Sequence, residues 1–143
     1  MAKDALVSVV IPFYKGGKYI DQCVRSVLEQ PYKNIEILLI NDGSPSGGEV
    51  CERIAKQYPE VKYYSKKNEG IGVTRNYGLM KASGDYIAFL DQDDVWVKGF
   101  LDENIVEVIQ HNDITAFSHY CTNHQMTRGN RITLEDSKII GGG

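Results

Sequence analysis

Asp91, Asp93 and Asp94 set three carboxylates into four residues, directly behind the apolar run YIAFL, with only Gln92 between them. Two such charges about 4 Å apart repel by roughly 4 kcal/mol at an effective dielectric of about 20. Around a hard divalent cation the same crowding becomes favourable, because Mg²⁺ and Mn²⁺ prefer oxygen ligands. These ions keep waters and take one or two protein carboxylates, which leaves positions for a ligand's phosphates. The plainer alternative is a solvated acidic turn in which Asp94 caps the following helix. Asp94 fits a cap or a supporting group better than a direct ligand.

Other residue types offer matching chemistry. Asp42, in INDGS, can accept a hydrogen bond from an imide N–H or a ribose hydroxyl, or simply close an Asx turn with Gly43. Arg75 and Asn76 follow a glycine-rich loop at the expected start of a helix. A guanidinium fork suits phosphate there, and a helix N-terminus favours anions; a surface salt bridge would also satisfy Arg75. His119, Cys121 and His124 form an HxCxxH spacing that matches no common zinc pattern, and they read as structural. Cys23 and Cys51 fall on apolar helix faces and read as core. No GxGxxG follows the first strand and no GxxxxGK[ST] exists, so NAD binding and Walker-type ATP hydrolysis are unsupported.

The elements that must position these residues alternate. LVSVVIPF and IEILLI read as buried strands, VKYYS as a weaker one and YIAFL as a fourth. Between them, Ile20, Cys23, Val24, Val27 and Leu28 mark one helix face, and Val50, Cys51, Ile54, Ala55 and Tyr58 another. VTRNYGLMKAS reads as a third helix; Phe100, Leu101, Ile105, Val108 and Ile109 predict a fourth. DITAFSHY is expected as a fifth strand. Strand–helix alternation implies right-handed crossovers and a mainly parallel sheet with helices on both faces. Ligands of such sheets bind beyond the carboxyl ends of the strands. Those ends carry Tyr14, then Asn41 to Gly43, then Lys66 to Gly70, then Asp91 to Asp94, so four polar loops converge on one edge.

The whole chain sets limits. Its 143 residues suffice for one domain with a real core. A hydrophobic share of 42 %, a charged share of 24 % and a net charge of -3 are ordinary for a globular protein and give no support for nucleic-acid binding. No apolar run reaches the roughly 20 residues of a membrane helix, and MAKDALVSVV lacks a secretory signal. Three scattered cysteines make no disulfide framework. A reducing, cytoplasmic setting is expected.

Taken in order, VSVVIPFYKGGKYIDQCVRSVLEQPYKNIEILLINDGS and NEGIGVTRNYGLMKASGDYIAFLDQDDVW resemble the N-terminal half of a family 2 glycosyltransferase. The resemblance runs from about residue 6 to 110. It implies an α/β, Rossmann-like GT-A fold with residues 1–110 binding the donor and 111–143 beginning an incomplete acceptor-binding part. It implies an inverting, divalent-cation-dependent (Mn or Mg) transfer from a nucleotide-sugar, typically UDP-linked, to a carbohydrate or lipid-linked hydroxyl in polysaccharide or glycoconjugate synthesis. Peripheral association at the inner face of a membrane would suit that role. By the resemblance, Pro12 and Tyr14 line the nucleoside pocket, Asp42 hydrogen-bonds the base and Arg75 contacts the nucleotide. Asp91 lies by the ribose and metal, and Asp93 holds the metal. Ser46 stands where the family commonly has an acidic residue. Glu135-Asp136 follows Asp93 too closely to be assigned as the catalytic base, which stays unknown. The competing classes are a non-catalytic nucleotide-sugar-binding module and a sugar nucleotidyltransferase, whose glycine- and lysine-rich first loop is not evident.

Overall fold

The computed structural model describes residues 5–111 and 121–122. Strand β1 (Val7–Phe13) is buried at every position, as is β2 (Ile35–Asp42). Both are apolar runs without alternation, the pattern of strands covered on both faces. Helix α1 (Ile20–Leu28) joins them, burying Ile20, Cys23, Val24 and Val27 along one stripe. Helix α2 (Gly48–Gln57) leads to β3 (Val61–Lys66), and α3 (Ile71–Lys81) leads to β4 (Tyr86–Phe89).

The four strands form one parallel sheet in the order β3-β2-β1-β4. The chain winds outward from β1 through β2 to β3, then crosses back to place β4 on the other side of β1. That reversal puts the topological switch point between the carboxyl ends of β1 and β4. Alternate β1 residues Val7, Val9, Ile11 and Phe13 pack with residues of α1 and α2. Val10, Leu38, Ile40 and Ile87 face the other way, toward Tyr77 and Leu79 of α3. Helices therefore cover both faces, as expected. The approach of α3 is close: a Cβ on Gly78 would lie 2.4 Å from Val10 Cγ1.

At the amino end of the sheet, Glu36 interrupts the apolar run of β2 and is 5 % exposed. Its carboxylate accepts hydrogen bonds from Ser8 Oγ (2.6 Å), the Ser83 N–H (2.6 Å) and Lys62 Nζ (2.8 Å). Burial pushes this carboxyl up, but Lys62, Ser8 and Ser83 outweigh it and hold it below the usual range. It staples three strands and the α3–β4 turn at the edge away from the convergent loops.

Two expectations need correction. Phe100 and Leu101 are buried, but they precede helix α4 (Glu103–His111) instead of lying on it. Gly99, with φ +78°, turns the chain before the helix. The cap is Asp102, whose Oδ1 accepts from the Ile105 N–H at 2.8 Å, so Asp94 does not cap this helix. Asp94 belongs instead to β5 (Asp94–Val95), paired antiparallel with β6 (Cys121–Thr122). Residues 113–120, His119, His124, Glu135 and Asp136 lie outside the described residues, as does most of 111–143. Among the described residues no helix is long and apolar enough to cross a membrane.

Candidate functional site

At the carboxyl edge of the sheet lies a cleft of about 320 Å³, lined among others by Pro12, Tyr14, Asp42, Asn68, Thr74 and Gln92. Such a volume is at the lower end of small-molecule sites. Pro12 lies near the end of β1 and Tyr14 just beyond it, and Tyr14 is 41 % exposed.

Asp42, the last residue of β2, is 4 % exposed. Its Oδ1 accepts from Lys66 Nζ (3.1 Å) and the Glu69 N–H (2.9 Å). Its Oδ2 accepts from the Gly70 N–H (3.0 Å) and Asn68 Nδ2 (3.2 Å). Four donors occupy the roughly four lone-pair positions of a carboxylate. Burial pushes Asp42 up, yet Glu69, Lys66, Thr74 and Gly70 hold it below its ordinary value. The local turn that Asp42 might have closed is made by Asn41, whose Oδ1 accepts from the Ser44 N–H at 2.9 Å. Asp42 reaches across to loop 66–70 instead. Gly43 permits that approach: a Cβ there would lie 2.5 Å from the Asn68 nitrogen.

Loop 66–70 feeds α3, whose Arg75 Nη2 donates to Asp91 Oδ1 at 3.1 Å. Both side chains stay partly open, at 41 % and 51 % exposure. Arg75 Nε is buried without a protein partner. Of the two alternatives left by the sequence, the salt bridge is present, and it leaves the Arg75 side chain partly exposed. The acidic turn closes with Asp94 N–H on the Asp91 carbonyl (3.1 Å).

Helix α1 holds this turn from beneath. Cys23 Sγ donates to the Asp91 carbonyl at 3.4 Å, and Ser26 Oγ accepts from the Trp96 N–H at 3.0 Å. Just past the helix, Gln30 donates to the Val97 carbonyl (3.0 Å) and accepts from the Leu101 N–H (2.8 Å). Burial, then the charges of Asp94, Asp91 and Asp93, push the Cys23 thiol up, so it stays protonated and able to donate. Cys23, read from the sequence as plain core, is also a support of the turn.

Asp94 shows the cost of the carboxylate cluster. Burial, then Asp91 and Asp93, push it up to about 6. Because its native value lies above the unfolded one of 3.8, stability falls as pH rises between the two. In chelator-containing buffer, Asp94→Asn is expected to gain about 1 kcal/mol at about pH 8, after allowing for solvent screening at this half-buried group. Urea unfolding at about pH 4, where the carboxyl is protonated in the native state, is expected to show the gain gone.

The loops form a closed circuit. Lys15 N–H donates to Ser44 Oγ at 2.7 Å, Asp42 holds loop 66–70, Arg75 holds Asp91, and Gln92 returns to the backbone of Tyr14 and Lys15. Pro12, Tyr14, Asp42, Arg75 and Asp91 are thus brought to one edge, with exposed Asp93 on the same acidic turn. Asn41, Lys66, Asn68 and Gln92 were not singled out by sequence. Only their position on the four convergent loops could have pointed to them.

The donor set can be tested against a cation. Among the described residues no group of three His, Cys, Asp or Glu side chains is arranged to hold a metal ion by itself. Asp91 and Asp93 are exposed hard-oxygen donors on one turn. They fit Mg²⁺ or Mn²⁺ shared with a ligand's phosphates, and do not make a protein-only cage.

A parallel, switched α/β sheet with a polar site beyond its carboxyl ends defines a Rossmann-like class of small-molecule-binding domain. Within that class the sequence is specific. The chain belongs to Glycosyl transferase family 2, whose profile matches residues 8–139. An uncharacterized glycosyltransferase of Rickettsia bellii is 40 % identical over 118 residues, covering 82 % of this chain and 17 % of its own length. Glycosyltransferase GlyG of Streptococcus pneumoniae serotype 4 is 36 % identical over 127 residues, covering 87 % of this chain and 42 % of GlyG. The chain spans less than half the length of these relatives. The crystal structure of S. aureus TarS 1-349 in complex with UDP-GlcNAc superposes with a TM-score of 0.64 at 26 % identity, over 74 % of this chain and 32 % of TarS. The fold is GT-A, as the sequence led us to expect.

Proposed function

We propose that this chain is the donor-binding part of an inverting glycosyltransferase that moves a sugar from a nucleotide-sugar, of UDP type, to a hydroxyl acceptor with a divalent cation. The observation that carries this is the closed circuit of loops around a cleft at the switch point, with two exposed carboxylates beside it. Membership of the family and the likeness to a UDP-GlcNAc complex support the donor class.

Pro12 and Tyr14 offer the flat apolar wall a nucleoside needs. Asp42 shapes the pocket by fixing loop 66–70, and a base imide reaching it would compete with the Asn68 amide, the longest of its four donors. The Arg75 side chain is 41 % exposed, which leaves guanidinium N–H groups beyond the Asp91 contact open to a phosphate. Asp91 and Asp93 would hold the cation. When bound there, the cation would supply Lewis-acid neutralisation of charge on the leaving diphosphate. The acceptor hydroxyl, carbohydrate or lipid-linked, would approach from the opposite face of the sugar.

Calorimetric titration with UDP and Mn²⁺ is expected to give saturable binding that weakens in chelator. No binding in the presence of Mn²⁺ would overturn the UDP reading; equal binding with and without it would remove the cation.

A further inference from the structure

Strands β1 and β4 part company at the mouth of the switch point. Their ladder ends at Val10↔Phe89, with one more bond from the Leu90 N–H to the Val10 carbonyl at 3.0 Å, while β1 runs on to Phe13. Gln92 takes up the pairing further along. Its Oε1 accepts from the Tyr14 N–H at 2.6 Å, and its Nε2 donates to the Lys15 carbonyl at 2.7 Å. A carboxamide presents one acceptor and two donors, so it can pair with a peptide backbone as a strand edge does.

The segment it grips is poor at holding itself. Lys15, Gly16 and Gly17 all have positive φ, +60°, +97° and +111°. A non-glycine residue in that region costs roughly 1–2 kcal/mol and persists only where its surroundings enforce it. Ser44 enforces it from one side, accepting from the Lys15 N–H at 2.7 Å. Gln92 enforces it from the other, and Gln92 stands between the two carboxylates that would hold the cation. Tyr14 and Gln92 also line the same cleft.

We propose that Gln92 is a positioning residue: it sets Tyr14 against the nucleoside and ties that wall to the acidic turn, so that base and diphosphate are held in one register. This rests on the donor-binding reading above. The side chain acts through Tyr14, not by contact with the reacting atoms. Glutamate in its place would keep an acceptor for the Tyr14 N–H but turn an oxygen toward the Lys15 carbonyl, and would add a fourth carboxylate to the turn.

The test compares the wild-type chain with Gln92→Ala, Gln92→Glu, Tyr14→Ala and the Gln92→Ala/Tyr14→Ala double variant. Ligand-free amide hydrogen exchange at Tyr14 is expected to quicken about tenfold or more in Gln92→Ala, once its hydrogen bond is gone. UMP without divalent cation probes the nucleoside wall without the cation's contribution. Its affinity is expected to fall about tenfold for Gln92→Ala when Tyr14 is present, and less than about twofold when Tyr14 is already Ala. Gln92→Glu is expected to fall between wild type and Gln92→Ala, and it stands in if Gln92→Ala fails to fold. Equal losses in both Tyr14 backgrounds would mark a general structural defect and overturn the proposal, as would unchanged exchange at Tyr14. A wild-type chain that binds no UMP overturns the donor-binding reading and the nucleoside half of this one, while the exchange arm still decides whether the latch exists.

Discussion

Asp42→Ala is expected to destabilise the protein by about 3 kcal/mol and to abolish nucleotide binding, because it removes the acceptor for four donors at once. Lys66 suffers most. Its side chain is 8 % exposed and is paired with Asp42 (3.1 Å) and with Glu69 (2.7 Å), the latter at 37 % exposure. Without Asp42 the ammonium keeps only the more exposed carboxylate and the Lys67 carbonyl (2.7 Å), and the N–H groups of Glu69 and Gly70 lose their acceptor. Loop 66–70 is then held beside β2 only by the strand pairing at Lys66 and the Asn68 amide on the Asp42 main-chain carbonyl (3.0 Å), and α3, which carries Arg75, loses much of its anchor. Asp42→Asn keeps the volume and one acceptor oxygen, so a smaller loss, about 2 kcal/mol, is expected. Urea unfolding with an unchanged m-value checks both. The pH dependence has a definite sign. The native Asp42 carboxyl titrates below its ordinary 3.8, so its contribution is fully present above about pH 4 and lost as pH falls through the native value. Glu36, held below 4.5, adds to the same acid loss. The Asp42→Ala variant is therefore expected to show a shallower fall in urea midpoint below about pH 4 than wild type.

The fold was legible wherever burial wrote itself into local pattern. The strands β1 and β2 are covered on both faces, so they appear as unbroken apolar runs, and the stripe of α1 repeats at helical spacing. The convergence of four loops followed from strand–helix alternation alone, because parallel strands put all their carboxyl ends on one side. Local pattern misled at Phe100 and Leu101. Their apolarity marks burial against the segment after α1, where Gln30 accepts from the Leu101 N–H, and the spacing imitated a helix that begins only after Asp102. The two-residue strands β5 and β6 carry too few side chains to show any period. At the site, Asp42 could be seen as a carboxylate at a strand end, but its partners lie 24 to 28 residues further on. Gln92 was hidden differently. Between two aspartates a neutral residue looks like a spacer, and its partners, 77 and 78 residues earlier, are backbone atoms with no sequence signature.

Asp93→Ala is expected to remove the gain in UDP affinity that Mn²⁺ provides, by about a hundredfold, while leaving cation-free UMP binding within about twofold. Of the two candidate ligands, Asp93 gives the cleaner experiment. Asp91 also receives the Arg75 guanidinium and offers its carbonyl to Cys23 and Asp94, so removing its side chain disturbs the turn and frees Arg75 together. The side chain of Asp93 stands on the exposed side of the same turn. Its loss also relieves Asp94, which Asp93 helps to push up to about 6, so the ligand-free protein is expected to hold or slightly gain stability at about pH 8. Loss of cation-dependent binding without loss of fold separates a ligand from a structural carboxylate. Retention of the full Mn²⁺ effect in a folded Asp93→Ala chain would sink the metal assignment. The contrast with Asp94→Asn then becomes informative: both variants lessen the same repulsion, but only the Asp93 change takes away an oxygen that the cation would use.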